Sequence, residues 1–298
     1  MKKVFYKAIA AVLALAVLTA ALAACAEKTP ATESSPSPSA DVSPSPSAAP
    51  SPSPGVSPDS AGNFSDEMKI PYRTDLSQYD GSDSYEREGD HPGSPYFSNL
   101  DFYNLKSTDS LTILEGFKTQ QQTSEWSCGV SAALMVLEWF GKLGDNDEAS
   151  LAVFRQPSEI SDWFPGGLIP SATTLRQLIQ IFDGIGGFTY ESAFDYPDDA
   201  YEVFTLECVQ ETLNAGYPIL IGWNDWGGHW QVIIGYDTMG TDDYEGDDVI
   251  IVADPYDTTD HNQDGYGVYG AERFIYNFSF YTFPEEEIND YAFLVVKN

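Results

Sequence analysis

The sequence predicts an α+β fold in which helices come first and a mostly antiparallel sheet follows. Apolar residues at helical spacing fall between residues 128 and 215, whereas short β-branched and aromatic runs bounded by Gly, Asn, Asp and Pro dominate from residue 217 onward. Residues 63–298 are long enough to bury one substantial core.

The first predicted helix covers 128–140. Val130, Leu134, Leu137 and Phe140 recur at near-helical spacing, and Gly141 supplies a left-handed stop. Leu175, Leu178, Ile179 and Phe182 place a second helix over 174–182, and a third spans 205–215 and ends at Gly216. Strands are expected over 217–223, 229–236, 248–253, 273–278 and 291–296, with a Gly-containing turn over 224–228. No internal repeat is visible.

The N-terminal quarter has a different composition. Lys2, Lys3 and Lys7 form a basic start, 8–21 is apolar, and 22–25 ends in Cys25 after small residues, the pattern of a lipoprotein signal peptide whose Cys25 becomes the lipidated first residue of the mature chain. The apolar run is short for a spanning helix. Residues 26–62 are a Ser/Pro-rich tether that cannot bury a core, and 63–110 form an irregular acidic extension. The expected location is the outer face of the bacterial cytoplasmic membrane, reached through the lipid on Cys25.

Cys128 opens the first predicted helix. Unpaired backbone N–H groups and the positive end of the helix dipole favour a thiolate there, below the ordinary value of about 8.5. Gly129 is expected to leave backbone room for a substrate. Taken alone, Cys128 suits a buried structural cysteine better. His229 begins a strand after a Gly-Gly turn. Pairing Tyr236 with Asp248 in an antiparallel hairpin sets His229 opposite Pro255 and beside Asp254. Asp237 lies roughly 26 Å along His229's own strand and is a poorer partner. His91 precedes Pro92 in a polar loop, and His261 sits in an acidic turn.

A Gln, five residues, a Cys-Gly helix start, a later Gly-His strand and an Asp-Pro after the next strand resemble the bacteriocin-leader-processing cysteine peptidases and their relatives in the papain-like superfamily. The matching residues are Gln122, Cys128, Gly129, Gly228, His229, Asp254 and Pro255; the resemblance covers roughly 111–296, within a domain of 111–298. It implies a papain-like fold with a helix carrying the nucleophile packed on a sheet carrying His and Asp. It also implies a peptide or protein substrate, Cys128 as nucleophile, His229 as general base and then acid, Asp254 as orienter of the imidazole, and Gln122 as an oxyanion-hole donor. No cofactor is implied.

Of the three cysteines, lipidation of Cys25 leaves Cys128 and Cys208, fewer than a disulfide framework needs. Cys208 is expected as a half-buried, inert thiol in the third helix. A net charge of −32 excludes nucleic-acid phosphates and anionic lipid as electrostatic partners. Asp260, Asn262, Asp264 and Tyr266 follow the first half of a calcium loop, with Asp254 and Asp257 just upstream; position twelve is Ala271 rather than Glu, and an ordinary Asp/Asn/Gly turn fits the same residues. Two other functions share these features. One is a non-catalytic peptide- or glycan-binding module with a cleft lined by Trp126, Trp226 and Trp230. The other is acyl transfer of the phytochelatin-synthase-like kind. The residues do not indicate an oligomeric state.

Overall fold

In the computed structural model of the chain, the residues described are 67–73, 94–96, 100–155, 172–241, 243–257, 262–278 and 291–298. All of them belong to the second of two compact units, Val56–Asn298. Cys25, the tether 26–62 and most of the extension 63–110 lie outside the described residues, as do Asp260 and His261.

The fold is α+β. In chain order the regular elements are β1 (Leu111–Ile113), α1 (Cys128–Trp139), α2 (Glu148–Ala152), α3 (Leu175–Ile185), β2 (Thr189–Ser192), α4 (Ala200–Val203), α5 (Leu206–Asn214), β3 (Ile219–Trp223), β4 (His229–Asp237), β5 (Val249–Ala253), β6 (Tyr266–Gly270), α6 (Ala271–Asn277) and β7 (Ala292–Lys297). The strands make one sheet of order β2-β7-β3-β4-β5-β6, all pairs antiparallel. β3 flanks β4 over His229–Ile233, and β1 takes up the same side of β4 over Gly235–Asp237.

α1 is the central helix. Every residue from Cys128 to Leu137 is buried, because the helix packs against β4 on one side and α2 and α3 on others. Such a helix carries no polar face, which is why its apolar residues exceed one stripe. α3 is amphipathic by contrast, burying Leu175, Leu178, Ile181 and Phe182, and it starts on a capping box between Thr174 and Gln177.

The structure corrects three expectations. Residues 273–278 were expected as a strand for their Phe, Ile and Tyr content, but 271–277 is helix α6. Its buried positions Ala271 and Phe274, with buried Phe278 just past its end, are spaced three and four apart, while Glu272, Arg273 and Tyr276 face outward. Helical period outweighs β propensity here. The strand before it, β6, is Gly-rich and was not expected. In the third correction, Tyr236 pairs with Ile250 rather than Asp248, and an irregularity between Ile233 and Gly235 shifts the register by one. Tyr236 still reaches Asp248, through a hydrogen bond from its hydroxyl to the carboxylate.

Part of the acidic extension is ordered against the core. Lys69 bridges Thr119 in parallel, Met68 and Ile70 are buried, and the Gln120 amide donates to the Ile70 carbonyl at 2.9 Å. The segment leading to Gln122 is therefore clamped from its N-terminal side.

Candidate active site

Cys128 is the first residue of α1 and is 6% exposed. The N-cap residue, Ser127, makes no side-chain bond to the helix N–H groups; its hydroxyl donates to the Ser124 carbonyl at 3.1 Å instead. The first-turn N–H groups thus keep their positive potential for what lies at the helix start. Gly129 does not leave room for a substrate, as the sequence suggested. A Cβ there would stand 2.7 Å from Thr173 Cβ and 3.0 Å from Trp230 Cδ1, so the glycine is what lets β4 and Thr173 press against the first turn of α1.

β3 and β4 are joined through Gly227 and Gly228, whose φ values of +83° and +134° few other residues adopt, and His229 emerges as the first residue of β4. Its Nε2 lies 2.6 Å from Asp254 Oδ1, just past the end of β5. Both residues are buried. With Nε2 taken by the carboxylate, Nδ1 is the ring nitrogen left for Cys128, which is near enough to raise the imidazole. Burial opposes the charge on His229, but Asp254 and Cys128 outweigh it and push the imidazole up to about 10. Burial likewise raises the Asp254 carboxyl, but the imidazole beside it and its hydrogen-bond donors bring it below the usual carboxylate value. Those donors include the Tyr256 N–H at 2.7 Å and the Gln231 amide at 2.7 Å.

Gln231 was not anticipated. It sits two residues beyond His229 on β4, hence on the same face, and is fully buried. Its amide also donates to the Tyr269 hydroxyl at 2.9 Å, and its carbonyl accepts from Trp223 Nε1 at 2.9 Å. A polar residue at the i+2 position of an otherwise apolar strand was the available signal.

Gln122 is buried, its backbone N–H donates to the Pro255 carbonyl at 2.7 Å, and its amide donates to the Ser124 carbonyl at 2.7 Å. The loop before Cys128 is thereby joined to the Asp254-Pro255 step. The neighbouring glutamines turn elsewhere: Gln120 to Ile70 and Pro71, Gln121 to the carbonyls of Asp257 and Gln263. Two buried charged residues that no motif marks flank this region. Glu148 accepts from the Thr123 N–H, and Arg155 donates to Thr173 Oγ1 at 2.8 Å. Burial lowers the Arg155 guanidinium to about 10, and Cys128 acts in the opposite sense.

Cys128 and Cys208 are both free thiols, and Cys208 is half-buried on α5, where burial raises its thiol. Among the aromatic residues expected to line a binding cleft, Trp126 is exposed, but Trp230 is core, 1% exposed and bonded through Nε1 to the Thr173 carbonyl at 2.6 Å. The Trp226 side chain lies outside the described atoms. Of the calcium-loop residues, Asp264 accepts from the Tyr266 N–H at 2.9 Å and the Asn262 amide at 2.8 Å, and the Tyr266 hydroxyl donates to the Phe117 carbonyl at 2.6 Å. No group of three or more His, Cys, Asp or Glu side chains placed to hold a metal ion occurs among the described residues.

A buried thiol on a helix start, an imidazole near it and a carboxylate bonded behind the imidazole form an acid–base chain across the helix–sheet junction. The stretch that carries this chain, from Gln122 to Asp254, falls inside residues 114–278, which match the family model described as Peptidase_C39 like. None of the curated proteins compared matches the chain. The matched stretch spans more than half of the sequence, and with its papain-like α+β architecture the chain belongs to the Peptidase_C39 like family of cysteine peptidases.

Proposed function

We propose that this protein is an exported, lipid-anchored cysteine hydrolase that cleaves peptide bonds in peptides or proteins through Cys128, His229 and Asp254, with Gln122 in the oxyanion hole. The observation that carries the reading is the orientation of His229, whose Nε2 is committed to Asp254 at 2.6 Å, which leaves Nδ1 for the nearby Cys128. In that arrangement the Cys128 proton moves to His229, and the thiolate attacks the substrate carbonyl carbon. The oxyanion is met by the Cys128 N–H and the Gln122 amide. The imidazolium then protonates the leaving amine, and a water deprotonated by His229 releases the acyl group. Asp254 holds the ring in the tautomer these steps require.

Lipid on Cys25 and the tether 26–62 would hold the domain 111–298 at the outer face of the membrane. Calcium in the loop of Asp260, Asn262, Asp264 and Tyr266 belongs to the same proposal as a structural ion. A melting temperature unchanged by chelator and by added calcium would remove it.

The test of the catalytic reading is iodoacetamide alkylation of Cys128 against Cys208, followed by mass spectrometry across pH in the soluble domain and in His229→Ala. The expected result is faster alkylation of Cys128 than of Cys208 at and below neutral pH, an advantage lost in His229→Ala. Equal reactivity of the two thiols in folded protein would sink the catalytic reading in favour of a binding module.

A further inference from the structure

Glu148 is a buried carboxylate that the acid–base chain does not use. It is the first residue of α2, 2% exposed, and faces the loop between Gln122 and Cys128. Both its oxygens accept from the Thr123 N–H, at 3.3 and 3.1 Å, and the side chains of Thr123 and Ser127 lie close enough to draw its carboxyl down, although the Ser127 proton goes to the Ser124 carbonyl. Thr123 follows Gln122 directly, and Ser127 precedes Cys128. The two groups assigned to the oxyanion hole thus bracket a loop that is tied to this carboxylate at Thr123 and lies beside it at Ser127. The same loop carries an inner set of bonds: the Ser124 N–H donates to Ser127 Oγ at 3.2 Å, and the Gln122 amide donates to the Ser124 carbonyl.

We propose that Glu148 is a positioning residue that holds the Gln122–Ser127 loop in the shape that aims the Gln122 amide and the Cys128 N–H at one oxyanion. The proposal rests on the hydrolase reading above. Burying a carboxylate is costly unless donors meet it, and a loop tied only for stability could be fastened by a neutral side chain at lower cost. Burial pushes Glu148 up to about 7, against the pull of the Thr123 and Ser127 donors and with a further rise from Asp147, so the site retains an acid that the environment works to neutralise.

Two reactions of the same sulfur separate positioning from mere structure. In alkylation by iodoacetamide the thiolate displaces iodide, the C–S bond forms as the C–I bond breaks, and no oxyanion appears. In acylation by p-nitrophenyl acetate the thiolate adds to the carbonyl, a tetrahedral oxyanion forms, and the C–O bond breaks to release p-nitrophenolate. Glu148→Gln in the soluble domain should slow Cys128-dependent release of p-nitrophenolate about 10- to 100-fold, somewhat less than loss of an oxyanion donor itself. Alkylation of Cys128 should stay within about twofold of wild type, since the helix start and His229 are untouched. Unchanged acylation, or acylation and alkylation falling together in folded protein, overturns the proposal. If Glu148→Gln does not fold, the double variant Thr123→Val, Ser127→Ala removes the two hydroxyls instead and must show the same split, and equal effects on both reactions again overturn it. Wild-type protein that reacts with neither reagent would refute the hydrolase reading itself, and this inference with it.

Discussion

His229 Nε2 and Asp254 Oδ1 stand 2.6 Å apart with side chains only 5% and 3% exposed, so the pair is held where water cannot relieve either charge. Breaking such a pair leaves an uncompensated buried charge, which is costlier than never having buried it. The imidazole is favoured in its charged form up to about 10, above its ordinary 6.5, while Asp254 is favoured as carboxylate below its ordinary 3.8. Stability from His229 is therefore complete below about 6.5 and lost as pH rises toward about 10, and that from Asp254 is present above about 3.8 and lost as pH falls. The melting temperature of wild type relative to His229→Ala should be highest between these limits and should converge on the variant's toward the alkaline end. A difference that stays flat from neutral pH to about 10 would show that the folded protein does not hold the imidazolium.

Gly129 makes a separate, steric prediction. Gly129→Ala drives a methyl to 2.7 Å from Thr173 Cβ and 3.0 Å from the Trp230 ring, both on elements that cannot swing away freely. Overpacking of this kind costs about 1–3 kcal/mol, read as a lower urea midpoint at unchanged slope. Because the clash pushes α1 away from β4, Cys128 alkylation should also lose part of its low-pH advantage. Gly129→Ala protein of wild-type stability and reactivity would mean that Thr173 and Trp230 do not sit this close.

The fold's order was readable because its strongest signals are local. The central helix, the Gly-Gly step before His229 and the apolar runs of β3, β4 and β5 each declare themselves within a dozen residues. Asp254 was reachable from the hairpin, even though the pairing was misjudged, because the irregularity between Ile233 and Gly235 leaves no mark in the sequence and carries the carboxylate onto His229 all the same. The Phe, Ile and Tyr content of 273–278 mimics a strand, and only the spacing of Ala271, Phe274 and Phe278 marks the helix over 271–277. Glu148 was not readable at all. Its partner Thr123 lies 25 residues away, and only the packing of α2 on α1 joins them.

The three consecutive glutamines should separate by function. Gln120→Ala and Gln121→Ala each remove bonds to buried backbone carbonyls of Ile70 or of Asp257 and Gln263, so each should cost about 1–3 kcal/mol of stability and leave the rate of acylation per folded molecule near wild type. Gln122→Ala should lower that rate about 10²- to 10³-fold, as expected for a lost oxyanion donor, while iodoacetamide still alkylates Cys128 at nearly the wild-type rate. Burst kinetics with p-nitrophenyl acetate, normalised to alkylatable Cys128, reads all three. A Gln121→Ala defect as deep as that of Gln122→Ala would move the oxyanion assignment off Gln122.

Gln231 links the acid–base chain to the aromatic floor beneath it, since one amide nitrogen donates to both Asp254 Oδ2 and the Tyr269 hydroxyl while the carbonyl accepts from Trp223 Nε1. Gln231→Leu keeps the volume and removes every one of these bonds. Asp254 then loses a donor that helps hold its carboxyl low, so its own titration moves up, while the carboxylate left with fewer donors holds the imidazolium at least as firmly once ionised. The acid limb of Cys128 acylation should move up in pH, with a loss of about 1–3 kcal/mol in stability from the stranded partners. Gln231→Glu would add a second negative charge beside Asp254 and should also shift the alkaline limb, set by the imidazolium, upward from about 10, at a larger cost in stability. Simple loosening of the strand would move neither limb, and unchanged limbs in both variants would place Gln231 in the packing of the sheet alone.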